Sequence, residues 1–120
     1  MSLNNWSNPL NYKRMMSLSS VPSDAGIYVI LYQSTQGLVP CYVGQANDLN
    51  RRLSEHLSIY ETNTKLKYMM SNYNLFVIWG TVPYQRDRDG IELYLYNKFK
   101  PYCNEQTPPG TTEIPVGLWC

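Results

Sequence analysis

The chain has 120 residues, of which 43% are hydrophobic and 16% charged, and its formal net charge is +1. This length and composition predict a single globular domain with one ordinary hydrophobic core. A net charge near zero excludes a protein that holds nucleic acid by its overall charge, so a nucleic-acid contact would need a local basic patch.

The cysteine content and the hydropathy exclude two further classes. Cys41, Cys103 and Cys120 show no CxxC spacing, so a structural zinc site is not expected. Their odd number and the lack of a signal-peptide pattern favour a cytoplasmic protein with reduced thiols. No run of about 18 apolar residues is present, so no membrane span is expected.

The N-terminal part of the chain predicts an arm followed by a β-hairpin. Residues 1–21 show no sustained periodicity, and we expect a loosely structured arm with at most a short helix. The segment GIYVILYQ, residues 26–33, is rich in β-branched and aromatic residues, and its nearly continuous apolar character predicts a strand buried on both faces. A glycine-containing loop leads to a second short strand at residues 41–44, which should pair with the first.

The central part of the chain predicts two helices and a third strand. The first helix should begin at an Asn47 or Asp48 cap and run to residue 58 or 60. Its apolar residues recur at helical spacing: Leu49, Leu53, Leu57 and Tyr60. A second helix is expected within residues 61–74, and the apolar segment at residues 75–82 predicts the third strand.

A third helix, predicted at residues 85–100, completes the order of elements, and Pro101 should end it. Its apolar stripe consists of Ile91, Leu95 and Phe99. The tail, residues 106–120, is rich in Pro and Gly but ends apolar, so we expect it to pack on the surface of the domain. The order β-β-α-α-β-α predicts the α+β class, with a small three-stranded antiparallel or mixed sheet flanked by helices in two layers.

Glu92 is a candidate metal ligand because of its place on the third helix. It lies on the same side of the helix as Leu95, three residues later. Acidic side chains are seldom buried unless they are paired or bound to a metal ion. Two interpretations therefore stand: a metal ligand, or a rim carboxylate that pairs with Arg86, Arg88 or Lys98.

The first helix presents a second group of candidates. Arg52 and His56 are four residues apart, so their side chains stack one turn apart at the border of the apolar stripe. Arg51 has an acidic partner four positions later, Glu55, in a surface ion pair worth about 0.3–0.5 kcal/mol. Apart from Asp48, Arg52 lacks an acidic partner four residues away and could direct its guanidinium at a phosphate group. The simplest interpretation of His56 is a half-exposed helical histidine.

The two predicted hairpin strands carry Tyr28 and Tyr42. By composition alone, both would be core residues with hydrogen-bonded hydroxyls. Gly26 and Gly44 flank them, and each glycine could serve a tight turn or close backbone packing. On local grounds, none of the four indicates catalysis.

Together, these residues resemble the motifs of the GIY-YIG nuclease family. GIY stands at residues 26–28, and the second motif stands as YVG at residues 42–44. The family's helical arginine, ten residues after the second tyrosine, corresponds to Arg52. The histidine that many members carry four residues further corresponds to His56, and the family's metal-binding glutamate corresponds to Glu92.

A closing asparagine completes the resemblance. It corresponds to Asn104, shortly after Pro101, and the resemblance implies that it braces the site through hydrogen bonds to the backbone. Five elements in the family's order make the resemblance specific. It covers residues 22–105, between the N-terminal arm and the tail.

The resemblance implies a DNA endonuclease that hydrolyses phosphodiester bonds with one divalent cation, Mg²⁺ or Mn²⁺. In the roles that it implies, Glu92 holds the cation and Arg52 binds the non-bridging phosphate oxygens. Water activation falls to Tyr28 as the preferred general base, with Tyr42 orienting water or phosphate, and the two roles could be exchanged. His56 would contact phosphate or relay a proton.

Alternatives to a stand-alone nuclease remain open from the sequence. The chain could be a nuclease-like fold that binds nucleic acid without cutting it, or the catalytic subunit of a repair or structure-specific nuclease that a protein partner recruits. A homodimer could cut both DNA strands. Exposed Leu118 and Trp119 at the apolar end of the tail could also form a protein interface.

Overall fold

An antiparallel β-sheet with helices on both faces forms the α+β fold. The computed structural model describes residues 6–13, 18–58 and 60–117. In chain order, the elements are β1 (Leu10–Asn11), β2 (Gly26–Ser34), β3 (Gly37–Ala46), α1 (Leu49–His56), α2 (Thr64–Asn72), β4 (Leu75–Thr81) and α3 (Gln85–Phe99).

The sheet has four strands among the described residues, in the order β1-β4-β2-β3, and every neighbouring pair is antiparallel. The predicted three-stranded sheet is therefore wrong by one strand, and the predicted order β-β-α-α-β-α lacks the first element. The missed strand, β1, consists only of Leu10 and Asn11, which pair with Val77 and Phe76 of β4. Two residues are too few to show an alternating pattern, so the sequence carries no signal for this strand.

The predicted hairpin forms between β2 and β3 and brings the two tyrosine-bearing strands side by side. Ile30 lies opposite Tyr42, whereas the next residue of β2 lies opposite Pro40. Cys41 is therefore left without a partner, in a β-bulge of the kind that redirects neighbouring side chains. Because β3 lies at an edge of the described sheet, Pro40 is tolerated within the strand.

Helices cover both faces of this sheet, so the fold has three layers rather than the expected two. The core on the face of α1 and α2 includes Tyr28, Ile30, Leu53 and Leu66. The core on the face of α3 includes Ile27, Val29, Ile91 and Leu95. The first six residues of β2 are buried, which confirms the predicted burial of this strand on both faces. Each large apolar side chain buried in this way contributes about 1.5–3 kcal/mol.

Helix α1 starts as predicted and ends earlier than predicted. The Asp48 side chain accepts a hydrogen bond from the backbone N–H of Arg51 at 2.9 Å, which is an N-cap. After His56 the backbone bonds shorten to a three-residue spacing, as in Leu57 N–H to the Ser54 carbonyl at 3.1 Å, so the helix tightens and stops. Tyr60, expected in the apolar stripe, is 83% exposed because it lies beyond this end.

Both terminal segments pack on the fold. Tyr12, Leu18 and Val21 are buried in the core beside α1 and α2, so the described part of the N-terminal arm is not loose; residues 14–17 of the possible short helix lie outside the described residues. In the described part of the tail, Ile114 N–H donates to the carbonyl of Gly90 at 2.9 Å. The predicted interface residues at 118 and 119 lie outside the described residues. None of the described helices combines the length and apolar character needed to cross a membrane.

Candidate active site

The two motif glycines permit close approaches that no other residue would allow. Tyr28 and Gly44 are paired across β2 and β3, and the Tyr28 ring lies in the space that a Cβ at Gly44 would fill. A Cβ at Gly26 would collide with the backbone carbonyl of Gly80 in β4. Both glycines therefore serve strand packing, which is one of the two roles that the sequence left open.

Tyr28 points into the protein rather than into an open cleft. Its hydroxyl is buried and lies 2.8 Å from Nε2 of His56. Burial raises the pKa of Tyr28 well above its ordinary value, chiefly because the phenolate would be desolvated. The structure does not support the preference for Tyr28 as the general base, because its buried hydroxyl does not line the open cavity described below.

His56 is also buried, with 1% of its surface exposed, so the expectation of a half-exposed histidine is wrong. Its Nδ1 lies 2.6 Å from Oε1 of Glu61, and its Nε2 faces Tyr28. Burial lowers the pKa of His56, and this effect outweighs the hydrogen bond with Glu61, which raises it. A direct contact between His56 and a phosphate group is not available from this position.

An open cavity of about 310 Å³ collects the other sequence-predicted residues. Its lining includes Tyr42 from β3, Arg52 from α1, Glu92 from α3 and Asn104 from the segment after α3. Glu61 and residues 105–109 of the chain also line it. The fold thus brings four of the six predicted side chains to one space and places Tyr28 and His56 behind it.

Tyr42 is the tyrosine that faces this cavity. Its ring lies nearly parallel to that of Tyr28, with centroids 6.0 Å apart and an angle of 16° between the planes. Burial raises the pKa of Tyr42, while the nearby guanidinium of Arg52 and a hydrogen bond with Tyr28 lower it in part. Of the two tyrosines, Tyr42 is therefore the one with access to the cavity.

The two adjacent arginines share one acidic partner. Arg51 lies 3.8 Å from Glu55, as predicted, and its side chain is 71% exposed. Arg52 also contacts Glu55, at 3.3 Å, and its side chain is 40% exposed. Only Arg52 lines the cavity, because successive side chains on a helix point about 100° apart. This ion pair, at a spacing of three residues, was not predicted from the sequence, where only partners four residues away were compared.

Glu92 is buried at the cavity wall without a basic partner among the described residues. Its Oε1 accepts a hydrogen bond from the side-chain amide of Gln45 at 2.8 Å, and the same amide donates to Asp89 at 2.8 Å. Arg88, one of the predicted partners, instead donates to two backbone carbonyls and two side-chain amides. Burial raises the pKa of Glu92, Gln45 lowers it and Asp89 raises it. The rim ion pair is therefore not formed.

Two residues at the site were not predicted from the sequence. Glu61 lies between α1 and α2, where no periodicity relates it to His56, so only the folded chain shows their contact. Gln45 follows Gly44 in β3 and reaches Glu92 across the sheet–helix interface. A glutamine beside a motif glycine is an ordinary strand residue, and no local pattern could have identified it.

Known proteins share this fold. The family model of the GIY-YIG catalytic domain matches residues 24–106. A magnesium-bound structure of the GIY-YIG N-terminal endonuclease domain of UvrC from Thermotoga maritima is 26% identical, with a TM-score of 0.53, over 70% of this chain and 86% of that one. A point mutant of the same domain, with an asparagine changed to alanine and a catalytic divalent cation bound, is 24% identical with a TM-score of 0.54, over 72% and 88%. No curated protein sequence matches the chain.

Proposed function

The chain belongs to the GIY-YIG family of catalytic domains, and on that premise we propose that this endonuclease domain hydrolyses DNA phosphodiester bonds with one divalent cation, Mg²⁺ or Mn²⁺. One observation carries the proposal: Tyr42, Arg52, Glu92 and Asn104 come from separate parts of the chain and line the same open cavity. A cation, a hydroxyl and a carboxylate around one space are the groups that hydrolysis of an anionic diester requires.

The donor set of the cavity fits a magnesium ion. Glu92 is a single carboxylate, and no three metal-ligating side chains are clustered in the part of the chain that the structure describes. Mg²⁺ suits such a site because it keeps several of its water molecules and takes few protein ligands. Glu92 would hold the ion, with Gln45 fixing the orientation of the carboxylate. When bound, the ion supplies charge to the phosphate oxygens and lowers the pKa of a water molecule.

Arg52 and Tyr42 divide the remaining work. Arg52 binds the non-bridging oxygens, because its planar guanidinium reaches the cavity and can offer two parallel hydrogen bonds. Tyr42 orients the attacking water and accepts its proton, since it is the tyrosine that lines the cavity. Tyr42 thus takes the role of general base, for which the resemblance had favoured Tyr28 while leaving the two roles exchangeable.

The charge of the cavity explains why a cation is needed and why DNA affinity should be modest. The lining contains three carboxylates, of Glu61, Glu92 and Glu105, against the single guanidinium of Arg52. With all four groups ionised, the cavity repels a phosphate unless a cation offsets this excess. We infer that a second copy of the chain, or a protein that recruits it, adds the DNA contacts that a net charge of +1 does not supply.

The direct test is cleavage of supercoiled, single-stranded and branched DNA in the presence of Mg²⁺. We expect cleavage by the wild-type chain, and a loss of about 100-fold or more in Glu92→Gln, because the amide cannot hold the ion. Glu113→Gln is the matched control: the same change on an exposed residue of the tail, expected to stay within about twofold.

The outcomes separate the candidate functions. Cleavage by Glu92→Gln at the wild-type rate would remove the metal-ligand role. DNA binding without cleavage of any substrate would favour the inert binding module. Cleavage of branched DNA alone would favour a structure-specific nuclease, and nicking without linearisation would favour a monomer over a homodimer.

A further inference from the structure

Three side chains form a buried hydrogen-bonded chain behind the cavity. Oε1 of Glu61 lies 2.6 Å from Nδ1 of His56, and Nε2 of His56 lies 2.8 Å from the hydroxyl of Tyr28. The Glu61 side chain is 10% exposed, and its second oxygen accepts a hydrogen bond from the backbone N–H of Thr62 at 3.0 Å. Glu61 is therefore fixed in place. Of these three side chains, it is the only one that also lines the cavity.

The charges around His56 determine where its proton lies. Tyr28 and Tyr42 face it from the sheet, Glu61 from the loop after α1, and Arg52 and Glu55 act on it from its own helix. Burial lowers the pKa of His56, so the ring is neutral near pH 7 and carries a single proton. A carboxylate can only accept a hydrogen bond, so that proton lies on Nδ1. Nε2 is then free to accept the hydroxyl proton of Tyr28.

We propose that Glu61 is a positioning residue that holds His56 as the Nδ1–H tautomer, so that His56 is the final proton acceptor for Tyr42, reached through Tyr28. The inference rests on the proposed nuclease function for its purpose, but the tautomer can be tested without DNA. It also explains how a tyrosine serves as a base near neutral pH. The proton ends on an imidazole that is unprotonated near pH 7, whereas a phenol with an ordinary pKa of about 10 has little phenolate to accept it.

The proton transfers from the water molecule through Tyr42 and Tyr28 to His56 balance. A water O–H bond breaks as its proton passes to the oxygen of Tyr42, whose own proton passes to Tyr28. The hydroxyl proton of Tyr28 passes in turn to Nε2 of His56. The products are a hydroxide in the cavity and an imidazolium next to the carboxylate of Glu61, with both tyrosines neutral. The side chains of Tyr28 and Tyr42 are hydrogen-bonded to each other, which connects the two tyrosines for this transfer.

NMR of the ring nitrogens tests the positioning role directly, because His56 is the only histidine of the chain. With ¹⁵N-labelled histidine at pH 7, without DNA or metal ions, we expect a protonated Nδ1 and an unprotonated Nε2. Glu61→Gln should retain this tautomer, since its amide oxygen can still accept from Nδ1–H. Glu61→Ala should lose it. A wild-type spectrum with the proton on Nε2, or an unchanged spectrum in Glu61→Ala, would overturn the proposal whether or not the chain cleaves DNA.

The pH dependence of cleavage tests the proton acceptor. We expect the wild-type kcat to fall at acid pH as His56 becomes protonated. In Glu61→Gln the loss of the neighbouring charge disfavours the imidazolium, so the acid limb should move to lower pH by about one unit and kcat should fall about tenfold, with KM within about twofold. Glu113→Gln makes the same change on an exposed residue of the tail, outside the cavity, and should keep the wild-type limb. A wild-type pH profile and rate in Glu61→Gln would remove His56 as the acceptor.

Discussion

Asn104 and Val43 are joined by two hydrogen bonds between one side chain and one backbone residue. The Val43 N–H donates to Oδ1 of Asn104, and Nδ2 of Asn104 donates to the Val43 carbonyl, both at 2.9 Å. Val43 lies at the edge strand β3, between Tyr42 and Gly44, where its backbone groups have no further strand to pair with among the described residues. The asparagine therefore takes the place of a neighbouring strand and fixes the backbone that carries Tyr42.

We expect Asn104→Ala to lower the free energy of unfolding by about 1–3 kcal/mol, because it leaves a backbone donor and acceptor of β3 without partners. Urea unfolding followed by circular dichroism measures the change. Asn97→Ala is the matched control, since Asn97 is exposed on α3 and should cost no more than about 0.5 kcal/mol. Equal losses in the two variants would show that the clamp on Val43 contributes no stability.

The adjacent arginines offer an internally controlled test of the phosphate contact. Arg52→Ala should reduce kcat/KM for DNA by about 100-fold or more, because its guanidinium is the only one that lines the cavity in the described structure. Arg51→Ala should stay within about threefold, since it removes only an exposed pair with Glu55. Steady-state cleavage of one DNA substrate by both variants gives the comparison. Similar losses would mean that the wrong arginine has been assigned.

Arg88 is expected to matter for stability rather than for cleavage. Its buried guanidinium donates to the carbonyls of Val82 and Pro83 and to the side chains of Asn47 and Gln85. Arg88→Ala should cost about 2–4 kcal/mol, because four acceptors lose a charged donor inside the protein. Thermal and urea unfolding measure this cost.

The neighbouring arginine on α3 supplies the control for that measurement. Arg86 is exposed, so Arg86→Ala should change the free energy of unfolding by no more than about 0.5 kcal/mol. An Arg88→Ala variant as stable as Arg86→Ala would contradict the structural role of this hydrogen-bond network.

The buried histidine should make the fold less stable in acid. Burial lowers the pKa of His56 in the folded chain, so the unfolded chain binds more protons as pH falls below the ordinary value of about 6.5. Stability is therefore present above that value and is lost as pH falls through the folded pKa. We expect Tm to decrease from pH 7.5 to 5.5. From this group, the free energy of unfolding should fall by at most about 1.4 kcal/mol per pH unit.

A His56→Gln variant isolates this contribution. It should be less stable than the wild type at pH 7.5, because it disturbs the contacts with Tyr28 and Glu61. Its Tm should depend less on pH over the same range, since the titrating ring is gone. The same pH dependence in both proteins would mean that His56 is not the group responsible.

The sequence predicted the parts of the fold that have strong local signals. The continuous apolar run of β2, the leucine spacing of α1 and the stripe of α3 each correspond to an observed element. It failed for β1, whose two residues have no period, and for the end of α1, where Tyr60 continues the spacing but not the helix. Periodicity reports which residues can share a face, and it does not report where the backbone hydrogen bonds stop.

For the site, the sequence determined the residue types and the tertiary structure decided their surroundings. The resemblance to the family's motifs, rather than any local pattern, made Tyr28, Tyr42, Arg52, Glu92 and Asn104 the candidates. Only the fold decided that Tyr42 lines the cavity while the Tyr28 hydroxyl is buried against a histidine. The physical reason is that exposure and pKa depend on which groups from distant parts of the chain surround a side chain, as the contact between His56 and the loop carboxylate of residue 61 illustrates.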